Sequence, residues 1–168
     1  MLDIWLETVI PLSFSILTIW LLSLILKNSS IIDPFWGISY SIIYWYAYFS
    51  HNIYTSPKSI LLGVIIFIWG IRLTVHLLLR TVGKGEDPRY VAFRNRNPQS
   101  YWWTSLFKVF LLQGFLIWII SAPAILSVNY GGQITFLSII GVTIWIIGFL
   151  FEAISDFQLT KFKKDPSN

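Results

Sequence analysis

The sequence predicts an all-α fold, a polytopic helical bundle integral to a membrane, on three observations. The chain of 168 residues is 55% hydrophobic and 12% charged, where about a quarter of a soluble domain is charged. Its mean hydropathy is +0.67. Apolar runs recur at lengths close to the roughly 20 residues that cross a bilayer as a helix. We therefore predict a single transmembrane domain over residues 1–168, without a separate soluble domain.

Five segments are predicted to cross the membrane: residues 4–26, 34–49, 60–79, 105–128 and 134–150. The second is short and rich in tyrosine and tryptophan, side chains that often lie at a membrane interface. Its Asp33-Pro34 start suits the first turn of a helix. The first segment begins with acidic residues, so we expect a retained span and not a cleaved signal peptide.

Basic residues predict the orientation. Ten of the 12 lysines and arginines fall on one side of five alternating spans, Lys58 falls on the other, and Arg72 lies within a span. Cytoplasmic loops are enriched in basic residues, so the loop after the third span and the C-terminus should be cytoplasmic. Topology therefore explains the formal charge of +4 without a nucleic-acid partner. Cysteine is absent, which excludes disulfides and thiolate chemistry.

Arg72 is the main pointer to function, because an arginine at the centre of a membrane helix costs roughly 2.5–3.5 kcal/mol on insertion scales. Spacings of three and four residues relate Arg72 to Trp69, His76 and Arg80. A helix therefore places all four on one face. Arginine there could bind a phosphate or a carbonyl. In the structural alternative, Arg80 anchors the helix at the interface and His76 bonds a backbone carbonyl. The pattern favours function for Arg72 and anchoring for Arg80, and leaves His76 open.

The loop at residues 83–90 mixes two glycines with charges of both signs. Its backbone amides could approach a phosphate, but it lacks the Gly-Lys-Ser/Thr ending of a phosphate-binding loop. From these residues alone we interpret it as a solvated turn in which Lys84 and Arg89 neutralise Glu86 and Asp87.

Charged residues continue the last predicted span. Glu152, Asp156 and Lys163 recur at helical spacing and project from one stripe. The carboxylates could accept hydrogen bonds from an amide, a ribose hydroxyl or an arginine, or the stripe could be a salt-bridged interfacial face. The chain has only two histidines, His51 and His76, on different segments, so we expect no metal site.

Several blocks occur in series over residues 32–168: Asp33-Pro34-Phe35-Trp36-Gly37; Trp69-Gly70-Ile71-Arg72 with His76; residues 83–90 followed by Arg94; Leu112-Gln113-Gly114 with Pro123; Phe151-Glu152, Ser155-Asp156-Phe157-Gln158-Leu159, Phe162-Lys163 and Asp165-Pro166. In this order they resemble a bacterial membrane family of formerly unknown function, related to the steroid 5-alpha-reductases of the 3-oxo-5-alpha-steroid 4-dehydrogenase superfamily. The resemblance implies an all-helical membrane enzyme, typically of seven spans, of which this chain supplies about five.

The resemblance also implies an activity and a place in the cell. Members use NADPH to reduce a carbon-carbon double bond conjugated to a carbonyl, so we expect a lipophilic enone as substrate. Membrane lipids would surround the protein in a bacterial inner membrane. Relatives continue past Asp165-Pro166 with a further cofactor-binding block and further spans. We therefore expect a fragment or a truncated gene product.

With this resemblance, the candidate catalytic residues are Arg72, Trp69, His76 and Asp33. Trp69 stands where the steroid reductases present a tyrosine to the substrate carbonyl. Because indole is not a plausible proton donor, protonation would need another group, and the candidates are Tyr40, Tyr44, Asp33 and His76.

The resemblance assigns cofactor contacts to Asp156 and, with departures from the family pattern, to Glu152 and Lys163. Those two positions carry asparagine and arginine in the steroid reductases. Lys84 and Arg89 of the loop would border the cofactor entrance. Two alternatives remain: a membrane methyltransferase of the isoprenylcysteine or phospholipid type, and a non-catalytic membrane protein in which Arg72 pairs with Glu152.

Overall fold

The computed structural model describes residues 2–51, 56–128 and 130–164, and every regular element in these ranges is helical. The predicted all-α fold is confirmed. The chain divides into two compact units, Met1–Gly131 and Gly132–Asn168.

The described part of the first unit contains seven α-helices: α1 (Leu2–Glu7), α2 (Val9–Leu26), α3 (Ile32–Ser50), α4 (Pro57–Thr81), α5 (Pro88–Arg96), α6 (Tyr101–Ser105) and α7 (Leu112–Ser127). A 3-10 turn at Ser29–Ile31 precedes α3, and a π-helical segment at Leu106–Leu111 joins α6 to α7. The second unit contains α8 (Phe136–Lys164).

Four helical stretches are long and apolar enough to cross a membrane: Leu2–Leu26, Pro57–Thr81, Tyr101–Ser127 and Phe136–Lys163. They correspond to the first, third, fourth and fifth predicted spans. The last helix continues well beyond residue 150, where the apolar run predicted that the span would end. The chain is therefore an all-α polytopic membrane bundle.

The second predicted span is α3, which is not among these four because serine and tyrosine dilute its apolar side chains. Its 19 residues reach about 28 Å as a helix. His51, just after α3, contacts Glu7 of α1 at 2.8 Å, while the start of α3 adjoins the end of α2. α3 thus runs antiparallel to the α1–α2 stretch along its length, and ten of its residues are buried.

Glycines bring α3 and α4 into backbone contact. A Cβ added at Gly37 would lie 2.2 Å from the Gly70 carbonyl oxygen, and one at Gly70 would lie 2.3 Å from that of Gly37. Small residues permit this close approach of membrane helices. Thr74 of α4 also donates a hydrogen bond to the Pro34 carbonyl at 2.9 Å. α3 and α4 are therefore packed without side chains between them at this level.

α7 packs antiparallel on α1 and α2. The indoles of Trp5 and Trp118 stack with centroids 3.9 Å apart, and each donates to the other residue's carbonyl at 3.1 Å. About one turn before Trp118, Gly114 leaves room for Ile16. The break between α1 and α2 has a local cause, because the ring of Pro11 crowds the carbonyl of Glu7 four residues earlier.

Candidate functional site

The candidate site lies at one end of the first unit, where α3 begins, α4 ends and α5 begins. We call it the basic end, defined by Lys27, Arg80, Lys84, Arg89 and Arg94. Positively charged helix ends and loops surround only a few carboxylates here, so the pairing of those carboxylates determines which cations remain for a ligand.

A chain of hydrogen bonds connects three helices at the basic end. Asp33 at the start of α3 accepts from the Tyr90 hydroxyl at 2.6 Å and from Arg89 at 2.9 Å. The Tyr90 oxygen accepts from the Gln113 amide at 3.0 Å. Gln113 of α7 in turn accepts from the Trp36 indole at 2.5 Å. The chain fixes the position of α5 against α3 and α7.

Glu86 ties the loop before α5 to the rest of the unit. Its carboxylate accepts from the Ser29 amide at 2.7 Å and from the Arg94 guanidinium at 2.9 and 3.0 Å. Its side chain is only 9% exposed. The predicted pairing of Glu86 with Lys84 is therefore wrong. The partner of Glu86 is Arg94, on α5, the helix that follows the loop.

Asp87 sets the start of α5. Its carboxylate accepts from the Arg89 amide at 2.9 Å and from the Arg89 side chain at 3.0 Å, and Pro88 occupies the first helical position. Short acidic side chains at this position cap the free amides of a helix. Gly83 and Gly85 have φ of 78° and 76°, values that suit glycine. The predicted pairing of Arg89 with Asp87 is confirmed.

These contacts change the acidity of three groups. The hydrogen bond from Arg89 lowers the pKa of the Asp87 carboxyl, and the same contact raises the pKa of Arg89. Burial, and then the hydrogen bond to Asp33, raises the pKa of Tyr90. Tyr90 is therefore a neutral phenol at physiological pH, and its proton is available for donation to Asp33.

A cavity of about 300 Å³ opens at the basic end. Its lining consists of Asp33, Trp36, Leu73, Leu77, Arg80 and Arg89. Its volume falls at the lower limit of small-molecule pockets, about 300 to 1,000 Å³. This lining combines two guanidiniums and a carboxylate with leucine and indole side chains, so the open cavity suits a molecule with an anionic group and an apolar part.

A family model matches residues 19–168 of the chain. The chain belongs to DUF1295, a protein family of unknown function. Searches of curated proteins and of solved structures gave no match. The matched region includes all the residues of the hydrogen-bond chain and of the cavity. Membership in DUF1295 is thus shown, and the relation to the steroid 5-alpha-reductases stays a prediction.

The structure places three of the predicted catalytic residues on α4. Trp69, Arg72 and His76 share the face that ends at Arg80, and Gly70, where the backbones of α3 and α4 approach closely, lies on another face. Arg72 is about 12 Å along the helix from Arg80. The Trp69 ring meets the Tyr40 ring edge-on with centroids 5.6 Å apart.

The other predicted residues divide between the two units. Asp33 and Arg89 are brought together at 2.9 Å and both line the cavity. Lys84 is exposed in the loop and is not among the residues that line that cavity. Glu152, Asp156 and Lys163 all lie on α8, as their spacing predicted. Their roles in this DUF1295 protein stay predictions.

The sequence did not single out Tyr90, Gln113 or Trp36 as site residues, although they form the centre of the hydrogen-bond chain. Trp36 and Gln113 are 77 positions apart, and Tyr90 and Gln113 are 23 apart. No helical periodicity relates such positions. The available signal was their membership in three of the blocks that carry the resemblance.

Proposed function

We propose that this DUF1295 protein is a membrane-embedded, NADPH-dependent reductase of the C=C bond of a lipophilic enone, or supplies the membrane part of one. The observation that carries the proposal is the cavity with Arg80 and Arg89 at its rim and the face of Arg72 continuing along α4. The predicted orientation puts the basic end in the cytoplasm, the compartment that contains NADPH.

The residues present fit the charged parts of NADPH. Arginine forks match phosphate oxygens in a bidentate manner. Asp33 and Asp87 accept from the Nε and Nη2 groups of Arg89 at 2.9 to 3.2 Å, which leaves the Nη1 group of that guanidinium for a ligand. A carboxylate can also accept from a ribose hydroxyl. Leu73, Leu77 and Trp36 give the cavity an apolar side for a ring.

Bound NADPH would supply a hydride to the β carbon of the enone. Arg72 would place a fixed donor where negative charge develops on the carbonyl oxygen, and preorganised donors at such a position are the largest source of catalysis in many enzymes. A proton must then reach the α carbon to complete the saturated carbonyl product.

Hydrogen bonds made by two of the four candidates bear on the choice of proton donor. Tyr44 is fully buried and donates to the Ser59 carbonyl at 2.7 Å. Asp33 accepts from Tyr90 and Arg89 and is therefore a hydrogen-bond acceptor in this arrangement. Of the four candidates, Tyr40 beside Trp69 and His76 one turn beyond Arg72 are the two that we retain.

Binding of NADPH by the purified protein in detergent, measured by calorimetry, tests the proposal. We expect binding that weakens at least ten-fold in Arg80→Gln with Arg89→Gln, and that is unaffected in Lys58→Gln, which removes a cation near the opposite end of the bundle. S-adenosylmethionine serves as the rival ligand and would favour the methyltransferase alternative.

The same titration is made on the chain extended with the C-terminal segment of a longer relative. NADPH binding only by the extended chain would support a reductase whose site is shared between the two parts. Failure of both chains to bind NADPH, with a folded helical spectrum, would overturn the proposal. Turnover of an enone by a chain that binds NADPH would then establish the reaction.

A further inference from the structure

A second, smaller cavity of about 110 Å³ lies between the end of α5 and the start of the span that contains α6. Among its lining residues are Arg96 and Asn97 from the end of α5, and Thr104 and Lys108 from the α6 side. It shares no lining residue with the cavity of Asp33 and Arg89. The volume is far below that of pockets for drug-sized ligands, and suits a single small polar group.

The polar groups of this cavity leave positive charge for a ligand. The hydroxyls of Thr104 and Tyr101 donate within the protein, to the Ser100 carbonyl and to Ser29. No lining residue is acidic. Within the ranges that the structure describes, neither Arg96 nor Lys108 forms an ion pair. Arg89 and Arg94 at the same end are instead neutralised by carboxylates.

The cavity lies beside a surface typical of a membrane interface. Trp102, Trp103 and Phe107 are exposed at 60%, 46% and 59%, and aromatic side chains of this kind form belts at headgroup level. Lys108 lies within the apolar stretch Tyr101–Ser127, so its ammonium must reach toward the headgroups. It is carried by the π-helical segment, a rare geometry that often occurs at functional sites.

We propose that this cavity binds the phosphate of an anionic membrane phospholipid. Arg96 and Lys108 would neutralise the phosphate from two sides, and the Asn97 amide would donate a further hydrogen bond. The acyl chains would lie along the exposed side chains of Trp103 and Phe107. Basic pockets beside transmembrane helices bind anionic headgroups in this way. A soluble phosphate has the same anionic chemistry but cannot use the apolar surface.

The experiment measures lipid bound per protein by mass spectrometry after purification from nanodiscs of phosphatidylglycerol and phosphatidylcholine mixed in equal amounts. The unaltered protein should retain phosphatidylglycerol in preference. Each interfacial cation contributes about five-fold in affinity, so Arg96→Gln with Lys108→Gln should reduce the preference by about 25-fold. The matched control, Lys27→Gln with Lys84→Gln, removes the same charge from the same end and should keep the preference.

Two further measurements distinguish a lipid phosphate from a soluble one, and a lost binding site from a failure to fold. Inorganic phosphate at millimolar concentration should not displace the lipid, and displacement would show a site for a soluble anion. The charge-conserving pair Arg96→Lys with Lys108→Arg should retain most of the preference. Equal retention of both lipids by the unaltered protein, or equal losses in the control pair, would overturn the proposal.

Discussion

The contact between Gly37 and Gly70 predicts a large effect from the smallest possible substitution. Gly37→Ala places a Cβ 2.2 Å from the Gly70 carbonyl oxygen and 2.7 Å from Thr74 Oγ1. Because the nearer atom belongs to the backbone, no side-chain rotation relieves the clash, and α3 and α4 must separate by about 1 Å. Overpacking of a well-packed interface costs typically 1–3 kcal/mol.

The energetic cost of the clash can be separated from the helix propensity of alanine by comparing Gly37→Ala with another glycine-to-alanine substitution. Alanine is favoured over glycine in a helix interior by about 1 kcal/mol, so every substitution in the series gains that amount. At Gly148 of α8, the new Cβ meets no atom within 4 Å in the described part of the chain. The difference between the two variants therefore isolates the contact, and we expect about 2 kcal/mol.

Thermal unfolding in detergent measures this difference through the fluorescence of the nine tryptophans. Thiol-reactive dyes are unsuitable because the chain has no cysteine. For a domain of this size, 1 kcal/mol shifts the melting temperature by about 2–4 °C, so Gly37→Ala should melt about 6 °C below Gly148→Ala. Gly114→Ala should lie between them, because its new Cβ meets a movable Ile16 side chain at 3.0 Å. Equal melting temperatures for Gly37→Ala and Gly148→Ala would refute the close backbone approach.

Two further predictions concern the basic end. Tyr90→Phe removes the hydroxyl that donates to Asp33 and accepts from Gln113. Both half-buried partners then lack a bond, so the free energy of unfolding should fall by about 1–3 kcal/mol. Tyr130→Phe, at a 60% exposed position, is the control, and an equal change in both variants would count against the hydrogen-bond chain. Arg89 lowers the pKa of Asp87 in the folded state. The contribution of Asp87 to stability is therefore complete above its unfolded pKa of about 3.9 and is lost as the pH falls through the lower folded value. The difference in melting temperature between the unaltered protein and Asp87→Asn should be constant from pH 7 to about 5 and shrink below about pH 4, and a difference that grew on acidification would contradict this.

Apolar runs were sufficient to predict four of the five spans, because the bilayer sets both their length and their composition. The break at Thr8 and the π-helical segment at Leu106–Leu111 were not predicted, since both depend on details of hydrogen bonding within an otherwise apolar run. α3 was predicted as a span from its start and its neighbours. Only the contact of His51 with Glu7 shows that α3 packs along the whole α1–α2 stretch.

The sequence predicted several residues of the candidate site, but few of the contacts between them. Asp33 and Arg89 were both singled out, but their contact joins positions 56 apart, and nothing in local spacing relates them. Glu86 was paired with the nearest lysine along the sequence, while the structure turns into α5 and brings Arg94 to it. Local charge patterns predict which residues are polar, and the path of the chain determines which of them meet.

The weak apolarity of α3 has a consequence for how the protein is made. A helix with this many serine and tyrosine side chains gains too little from leaving water to enter the lipid phase by itself. α4 follows it directly in the chain and supplies both a strongly apolar span and the glycine surface that covers part of α3. We therefore expect the two helices to insert as one unit during synthesis. A nascent chain that ended before residue 57 would leave α3 at the membrane surface, and the completion of α4 would carry both into the bilayer as a hairpin.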